Sequence, residues 1–255
     1  MAKEKLAMGD KKVAVVTGGM GGLGTAICRR LDQAGFRVAA TFSPSNEQAR
    51  EWIDSQKEAG FHFSAYQVDV ADFADCTAML KTIIHELGRV DVLVNNAGIT
   101  RDQSLRKMSL DDWNAVLRTN LDSVFNMSKQ VLEPMLQQKW GRIINISSVN
   151  GQKSAFGQTN YAAAKAGMHG FTKALALEVA RHGITVNTIS PGYCDTKMVS
   201  KVPADIIEQK ILPQIPIGRI GQPDEVAAMV AYLVSDQAAY VTGANFAING
   251  GLHMC

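Results

Sequence analysis

Residues 12–31, KVAVVTGGMGGLGTAICRRL, decide the fold of this chain. A short run of β-branched residues ends in a cluster of glycines, and a helical pattern follows at once. Gly18, Gly22 and Gly24 form the spacing TGxxxGxG. Because glycine has no Cβ, the backbone here can approach a pyrophosphate, and the N–H groups that begin the helix point to the same place. The stretch therefore predicts a strand–turn–helix unit that binds a dinucleotide.

The same alternation continues to the end of the chain. Short apolar runs that predict strands cover residues 12–17, 37–42, 64–70, 90–96, 141–148, 184–190 and 245–249. Near-continuous apolar strands are buried on both faces, so helices must cover both sides of a parallel sheet. We expect an α/β fold, a Rossmann-type doubly wound parallel sheet of about seven strands with helices on both faces. It would form a single domain over residues 11–255, after a flexible leader at residues 1–10.

Start and stop signals mark several helices. SLDD at 109–112 is a capping-box pattern, and QPDE at 222–225 places a proline at a first helical position. Glycines close four helical segments before the next strand, at Gly35, Gly60, Gly88 and Gly183.

The composition excludes several classes of partner. The formal net charge is only +2, from 26 basic and 24 acidic residues, and no block of like charge occurs. Nucleic acid or an anionic membrane is therefore not expected as the main partner. No run approaches the ~20 apolar residues that span a bilayer, and the opening MAKEKLAMGD lacks the apolar core of a signal peptide. We expect a cytoplasmic protein.

Cysteine and histidine spacing argues against disulfides and metals. The cysteines are far apart and form no CxxC, which suits a reducing compartment; they are Cys28, Cys76, Cys194 and Cys255. The five histidines form no HExxH or similar ligand spacing, so no metal is expected.

The end of the second predicted strand bears on the choice of dinucleotide. An NAD enzyme usually presents Asp or Glu to the adenosine ribose about 20 residues past the glycines. Here AATFSPSN contains no carboxylate, and the first one is Glu47. Without that negative charge NADPH is favoured over NADH, with Arg50 and Ser43 as partners of its 2′-phosphate. Arg50 on the outer face of a solvated helix is an equally good interpretation.

Residues 192–222 depart from the tight alternation of strands and helices. Three prolines, Pro203, Pro213 and Pro216, surround the short apolar-faced piece ADIIEQKIL. A long insertion just after a strand end is a candidate substrate lid, and a packed surface excursion is the alternative.

Residues 161–165, YAAAK, place a phenol and an amine on one face of a helix. That spacing alone is also typical of any amphipathic helix. Other polar groups strengthen it, because NNAG (95–98), Ser148 and PGYCDT (191–196) all follow predicted strands. Open α/β sheets bind ligands at this carboxyl edge.

In combination, these motifs resemble the short-chain dehydrogenase/reductases over essentially the whole chain. The resemblance implies a catalytic tetrad of Asn120, Ser148, Tyr161 and Lys165, in which Lys165 also holds the nicotinamide ribose. It further implies that Asn120 anchors a water that relays a proton, although a purely structural role for Asn120 is the alternative. The predicted cofactor-binding residues are Gly18, Met20, Gly21, Gly22, Leu23, Gly24, Ser43, Arg50, Asp69, Val70, Asn96, Ala97, Gly98, Tyr161, Lys165, Pro191, Gly192 and Thr196.

The expected chemistry is reduction of a ketone. A tyrosine has an unperturbed pKa of about 10, and a nearby ammonium stabilises the phenolate, so we expect Lys165 to lower the pKa of Tyr161. Ser148 would bind the ketone oxygen, NADPH would deliver hydride to the carbonyl carbon, and Tyr161 would donate the proton.

Finer similarity narrows the substrate. GITRD (98–102), residues 145–167, ITVNTISPGY (184–193) and INGGLHM (248–254) are similar to the NADPH-dependent acetoacetyl-CoA reductases of polyhydroxybutyrate synthesis. This group implies an acyl-CoA substrate, an (R)-3-hydroxybutyryl-CoA product, and a homotetramer built from helices at 110–138 and 160–182 and the last strand. The predicted substrate-binding residues are Asp102, Ser148, Gln152, Phe156, Gln158, Tyr161, Gly192 and Tyr193. The alternatives are a 3-oxoacyl-[acyl-carrier-protein] reductase and a non-catalytic dinucleotide-sensing protein.

Overall fold

The computed structural model describes residues 11–196 and 199–254, and the predicted leader at 1–10 lies outside them. Within these ranges seven strands form one sheet. They are β1 (Val13–Val16), β2 (Arg37–Phe42), β3 (Ser64–Gln67), β4 (Val92–Asn95), β5 (Gly141–Ile146), β6 (Ile184–Pro191) and β7 (Asn245–Ile248). Each one falls inside or within a residue of a predicted strand.

Helices connect the strands. They are α1 (Gly22–Gln33), α2 (Ala49–Glu58), α3 (Phe73–Leu87), α4 (Leu110–Leu117), α5 (Ser123–Gln138), α6 (Thr159–Val179), α7 (Ala204–Ile206) and α8 (Pro223–Val234). A π-helical turn, Arg118–Asp122, joins α4 to α5. The predicted boundaries are confirmed where they were most specific: the Ser109 side chain accepts a hydrogen bond from the Asp112 N–H, and α8 begins at Pro223.

The order of the strands explains where a ligand can bind. The sheet runs β3-β2-β1-β4-β5-β6-β7, and every neighbouring pair is parallel. The chain moves outward from β1 to β3 and then returns to place β4 on the other side of β1. In such sheets the connections that follow the two central strands diverge to opposite faces and leave a crevice at the carboxyl edge.

Two apolar layers enclose the sheet. Neighbouring residues of β5 point to opposite faces, so Ile143 lies in one layer and Ile144 in the other, and both are fully buried. Residues of α3, α5 and α6, such as Met127, fill the first layer. Residues of α1 and α8, such as Ile27 and Val230, fill the second. This confirms the predicted α/β, doubly wound fold.

The insertion after β6 begins and ends at one point. The Asp195 N–H donates to the Gly221 carbonyl at 2.9 Å, and the Gly221 N–H donates to the Tyr193 carbonyl at 2.9 Å. Between these contacts the described chain forms short helical pieces and buries Ile211 and Ile215. The segment is therefore hinged at a narrow base and partly anchored by packing, and its role as a lid stays a prediction.

The described residues contain neither a membrane-spanning helix nor a cluster of metal ligands. None of their helices is both long and apolar enough to cross a membrane. No group of three or more His, Cys, Asp and Glu side chains within them could hold a metal ion.

Candidate active site

The turns after β1 and β4 are bound to each other. The Asn96 side-chain amide donates to the carbonyls of Thr17 at 2.9 Å and Gly18 at 3.2 Å. In return, the Thr17 hydroxyl accepts from the backbone N–H groups of Asn96 and Ala97, at 2.9 and 3.0 Å. The structure thus brings the predicted NNAG segment to the glycine turn. Thr17, which sequence reasoning did not single out, makes this connection.

The glycine turn has the shape that a pyrophosphate needs. Gly18 has a φ of +61°, and a side chain on Gly24 would collide with the Gly18 carbonyl. A Cβ on Gly22 would lie 3.2 Å from Thr196, so the start of α1 adjoins the segment after β6. Gly21 precedes α1, is exposed, and provides no side-chain cap, which leaves the helix N-terminus accessible to an anion. These residues fit a dinucleotide.

Met20 and Leu23, which lie between Gly18 and Gly24 in the sequence, have different surroundings in the structure. Leu23 packs against the core layer beneath α1. Met20 instead lies next to the end of β2, where its sulfur accepts a hydrogen bond from the Asn46 amide at 3.5 Å. The turn after β2 is therefore held against the glycine turn by Asn46, which was not predicted.

The turn after β2 carries hydroxyl groups and no carboxylate. The side-chain oxygens of Ser43 and Ser45 are 2.7 Å apart, and both residues are exposed. Arg50 lies in the first turn of α2 and is also exposed. Ser43 and Arg50 thus both follow the carboxyl end of β2, and their contact with a 2′-phosphate stays a prediction.

Asp69 and Val70 follow β3 at the same edge. The Asp69 N–H donates to the Asp75 carboxylate at 2.7 Å, and the Val70 carbonyl accepts from the Asn126 amide at 3.0 Å. The strand β3 ends at Gln67, three residues earlier than predicted. The contact of Asp69 and Val70 with the adenine stays a prediction.

Three successive residues at the carboxyl end of β5 hold the turn of α6 that contains YAAAK. The Ile146 carbonyl accepts from the Lys165 ammonium at 2.8 Å. The Ser147 hydroxyl donates to the main-chain carbonyl of Lys165 at 2.8 Å. Ser148 is hydrogen-bonded to the side chain of Tyr161. The predicted Ser148, Tyr161 and Lys165 are therefore together, and Ser147 is an additional member of the site.

Tyr161 and Lys165 lie on the same side of α6, but their pKa values are set by burial. The Lys165 nitrogen is 5.6 Å from the centre of the Tyr161 ring. Burial raises the pKa of Tyr161 to about 12, the hydrogen bond with Ser148 lowers it, and the Asp102 charge raises it. Burial also lowers the pKa of Lys165 to about 7.

The expectation that Lys165 lowers the pKa of Tyr161 is therefore not met. The lysine shares the buried environment of the phenol, so its own positive charge is destabilised instead of offsetting the cost of a phenolate. Tyr161 is protonated at neutral pH, which is the form that a proton donor requires.

Asn120 is fully buried in the π-helical turn and is fixed by its side chain. Its amide donates to the carbonyls of Ile99 at 3.0 Å and Val116 at 2.8 Å, and its oxygen accepts from the Ile99 N–H at 3.1 Å. A side chain on Gly98 would collide with that oxygen and lie 3.6 Å from the Lys165 nitrogen. The Asn120 side chain thus ties the π-helical turn to the segment after β4, and its role in a proton relay stays a prediction.

The predicted acyl-binding residues divide into two groups. Gln158 donates to the Asp102 carboxylate at 2.8 Å and accepts from the Asn150 amide at 2.8 Å, so much of its hydrogen bonding is used within the protein. The Asp102 charge raises the pKa of both Tyr161 and Tyr193, after burial, which places these groups near one another. Asp102, Gln158 and Tyr193 therefore lie near Tyr161.

Phe156 and Gln152 are placed differently. Phe156 is 95% exposed. Gln152 lines a cavity of about 320 Å³ with His169 and Lys173, on the side of α6 that faces β6 and β7. Their predicted contacts with the substrate stay predictions.

The segment after β6 begins at the same carboxyl edge of the sheet. Pro191 is the last residue of β6, and the Gly192 N–H donates to the Ile248 carbonyl at 2.9 Å. A side chain on Gly192 would approach Asn249 to 2.9 Å, so this position needs glycine. Both residues are at the carboxyl edge, as predicted.

The fold and the site together define a dinucleotide-dependent oxidoreductase. A profile of the short chain dehydrogenase family matches residues 12–206. The chain belongs to this family.

Named relatives agree over nearly the full length. An acetoacetyl-CoA reductase from Cupriavidus necator is 53% identical over 244 residues, which cover 96% of this chain and 99% of the relative. Nodulation protein G from Azospirillum brasilense is 54% identical over 244 residues, with 96% and 99% covered. A 3-oxoacyl-[acyl-carrier-protein] reductase from Pseudomonas aeruginosa is 46% identical over 243 residues, with 95% and 98% covered. The chain is an oxidoreductase with a nicotinamide dinucleotide as its implied cofactor.

The buried ammonium of Lys165 predicts a pH-dependent cost to stability. Its pKa is about 7 in the folded protein against an ordinary value of 10.5, so its charge destabilises the fold below pH 7. That cost disappears as the pH rises from about 7 to 10.5. Relative to the native protein, Lys165→Met should therefore be most stabilising at pH 6–7, and the difference should shrink by up to roughly 1.4 kcal/mol per pH unit above that.

The measurement is the unfolding free energy of both proteins in denaturant at several pH values. Lys173→Met, at an exposed position of the same helix, is the matched control and should show no such slope. A difference between Lys165→Met and the native protein that is constant from pH 6 to pH 10 would contradict the assignment.

Proposed function

We propose that the protein reduces acetoacetyl-CoA to (R)-3-hydroxybutyryl-CoA with NADPH, as a step of polyhydroxybutyrate synthesis. The observation that carries the proposal is the contact between Ser148 and a protonated Tyr161, next to Lys165 and at the mouth of a dinucleotide crevice. The similarity to acetoacetyl-CoA reductases supports the choice of substrate.

The side chains divide the reaction between them. The hydride for the carbonyl carbon comes from bound NADPH. Ser148 donates a hydrogen bond to the ketone oxygen and holds it next to the phenol of Tyr161. Tyr161 gives its proton to that oxygen as negative charge develops there. Lys165, whose ammonium donates to the Ile146 carbonyl, would hold the nicotinamide ribose beside the phenol.

The preference for NADPH is supported by the end of β2. Ser43 and Ser45 present hydroxyl groups there, and no carboxylate precedes Glu47 to repel a 2′-phosphate. Arg50 supplies a guanidinium within the first turn of α2. Guanidinium and hydroxyl groups bind phosphate, whereas an NAD-specific site presents an acid to the ribose diol.

An acyl-CoA substrate is supported by the entrance to the site. The exposed ring of Phe156 offers an apolar wall beside Gly157, whose carbonyl accepts from the Gln103 N–H at 2.8 Å. A thioester arm could cover this ring, since ligand sites combine apolar walls with a few polar groups. The segment 192–222, hinged at Tyr193 and Gly221, would act as a lid over the bound substrate.

A 3-oxoacyl-[acyl-carrier-protein] reductase is the second candidate. The relative from Pseudomonas aeruginosa with this name favours it, and its reaction would use the same tyrosine and lysine. The two candidates differ only in the carrier of the thioester. A non-catalytic dinucleotide-sensing protein is less well supported, because the complete tetrad is present and its serine and tyrosine are in contact.

Kinetics with matched variants test the proposed reaction. With acetoacetyl-CoA as substrate, kcat/KM with NADPH should be at least about tenfold higher than with NADH. With NADPH, kcat/KM for acetoacetyl-CoA should exceed that for an acetoacetyl carrier-protein thioester by at least about the same factor. Tyr161→Phe removes the proton donor and should lower kcat by two to four orders of magnitude, roughly the range for loss of general acid catalysis, while binding of NADPH is retained.

Tyr240→Phe is the matched control, because Tyr240 is fully exposed away from the site. It should keep native kinetics. Faster turnover of the carrier-protein thioester would favour the second candidate, and near-native kcat in Tyr161→Phe would remove Tyr161 from the mechanism.

The chain would assemble as a homotetramer in the cytoplasm. Apolar side chains are exposed on the helices expected to pair, namely Leu110 at 72%, Phe125 at 52% and Leu177 at 86%. Burial of such surface against another copy is favourable. The buried free thiols of Cys28, Cys76 and Cys194 suit a reducing compartment.

Sedimentation equilibrium tests this assembly. The native protein should have four times the mass of one chain, and Leu177→Glu should shift it towards smaller species because a carboxylate would be buried in the contact. Lys57→Glu, at an exposed position of α2 outside the proposed contacts, should keep the tetramer. A native protein that sediments as a monomer would contradict the proposal.

A further inference from the structure

His169 lies on α6 one turn beyond Lys165, on the helix face that also carries Tyr161. Its Nε2 atom is 3.0 Å from the Ser147 hydroxyl oxygen and 3.4 Å from the Ser190 hydroxyl oxygen. Neither serine was predicted to belong to the site. Both are buried at the ends of the neighbouring strands β5 and β6.

The partners of the two serines fix the direction of these hydrogen bonds. Ser147 donates its single proton to the Lys165 carbonyl at 2.8 Å, and Ser190 donates its proton to the Asn245 side-chain oxygen at 2.7 Å. Each serine therefore presents only lone pairs to His169. The ring must carry its proton on Nε2 and act as the donor.

Through Ser147, the His169 ring is connected to the turn of α6 that contains Tyr161 and Lys165. Ser147 lies between Ile146, which holds the Lys165 ammonium, and Ser148, which contacts Tyr161. Its own backbone is fixed because the Ser147 N–H donates to the Ile189 carbonyl at 2.7 Å. Its hydroxyl is tightly enclosed, since a Cβ on Gly151 would lie 3.0 Å from it. The Ser147 hydroxyl is therefore a fixed contact between the end of β5 and the main chain of α6 at Lys165.

We infer that His169 is a positioning residue for the reduction. It donates to Ser147, keeps the Ser147 hydroxyl aimed at the Lys165 carbonyl, and thereby sets the distance between the Tyr161 phenol and the Ser148 hydroxyl. The inference rests on the proposed function only in assigning the proton transfer to Tyr161. Small displacements of reacting groups are costly, since about 1 Å of misplacement can lower a rate by two orders of magnitude.

The cavity beside His169 decides which substitution is informative. Its volume is about 320 Å³, and Thr172, Lys173 and Thr188 also line it. A small residue at 169 would let water enter and donate to Ser147 in place of the ring. Leucine fills similar space and donates nothing, whereas the terminal amide of glutamine can reach the position of Nε2 and donate.

His169→Leu should lower kcat by about tenfold and change KM for NADPH and for the ketone by no more than about twofold, because binding surfaces are untouched. His169→Gln should keep kcat within about threefold of the native value, since it restores the donor. Lys173→Gln, which lines the same cavity, is the control and should keep native kinetics. Thermal unfolding of each variant measures stability separately from turnover.

A double-mutant cycle with Ser147→Ala tests the route of the effect. If His169 acts through Ser147, adding His169→Leu to Ser147→Ala should lower kcat by no more than about twofold further. Independent tenfold losses that multiply, or native kcat in His169→Leu, would overturn the inference. Loss of activity in His169→Gln equal to that in His169→Leu would also overturn it.

The experiment also needs a replacement variant and a defined substrate. Should His169→Leu not fold, His169→Met replaces it, because methionine also fills the space and has no hydrogen-bond donor, and a native kcat in that variant would overturn the inference. The assays use whichever 3-oxoacyl thioester and dinucleotide the native protein turns over fastest. Failure of the native protein on acetoacetyl-CoA with NADPH would count against the proposed function alone.

Discussion

Lys165 is a buried cation whose ammonium donates to a main-chain carbonyl, that of Ile146. Burying a charge is costly, and burial lowers the pKa of this lysine to about 7. Lys165 is buried at the point where the carboxyl end of β5 contacts α6 through three successive residues, Ile146, Ser147 and Ser148. The position of the Tyr161 phenol depends on this contact, and so does the use of the crevice for chemistry rather than for binding alone.

The parallel sheet makes that contact possible. The strands deliver the glycine turn, Asn96, Ser148 and Pro191 to one edge, and the π-helical turn places Asn120 beneath them, bound to Ile99. The packing is close enough that glycine is required at several positions along this edge. A crevice at the carboxyl edge and the pairing of Tyr161 with Lys165 beside it thus follow from one arrangement of strands.

Much of this arrangement could be predicted from the sequence, because apolar runs and glycine spacing report burial and turns directly. The strands, the helix starts and the pairing of Tyr161 with Lys165 were predicted correctly. Three features could not be predicted. The partner of Lys165 is a main-chain carbonyl, which the residue type at that position does not reveal. Thr17 and Ser147 are common residue types, and their roles depend on the register of the strands. The pKa of Tyr161 depends on burial, which a count of nearby charges omits. The prediction that Gln152 and Phe156 both contact the substrate stays a prediction; Gln152 lines the cavity beside His169, and the Phe156 ring is exposed.

A crystal structure with NADP and acetoacetyl-CoA bound tests the central claim most directly. The account predicts that the ketone oxygen lies within hydrogen-bond distance, about 2.5–3.0 Å, of both the Ser148 hydroxyl and the Tyr161 phenol, with the Lys165 ammonium on the nicotinamide ribose. A thioester bound with its ketone away from Tyr161, or a dinucleotide separated from the phenol by the protein, would contradict it.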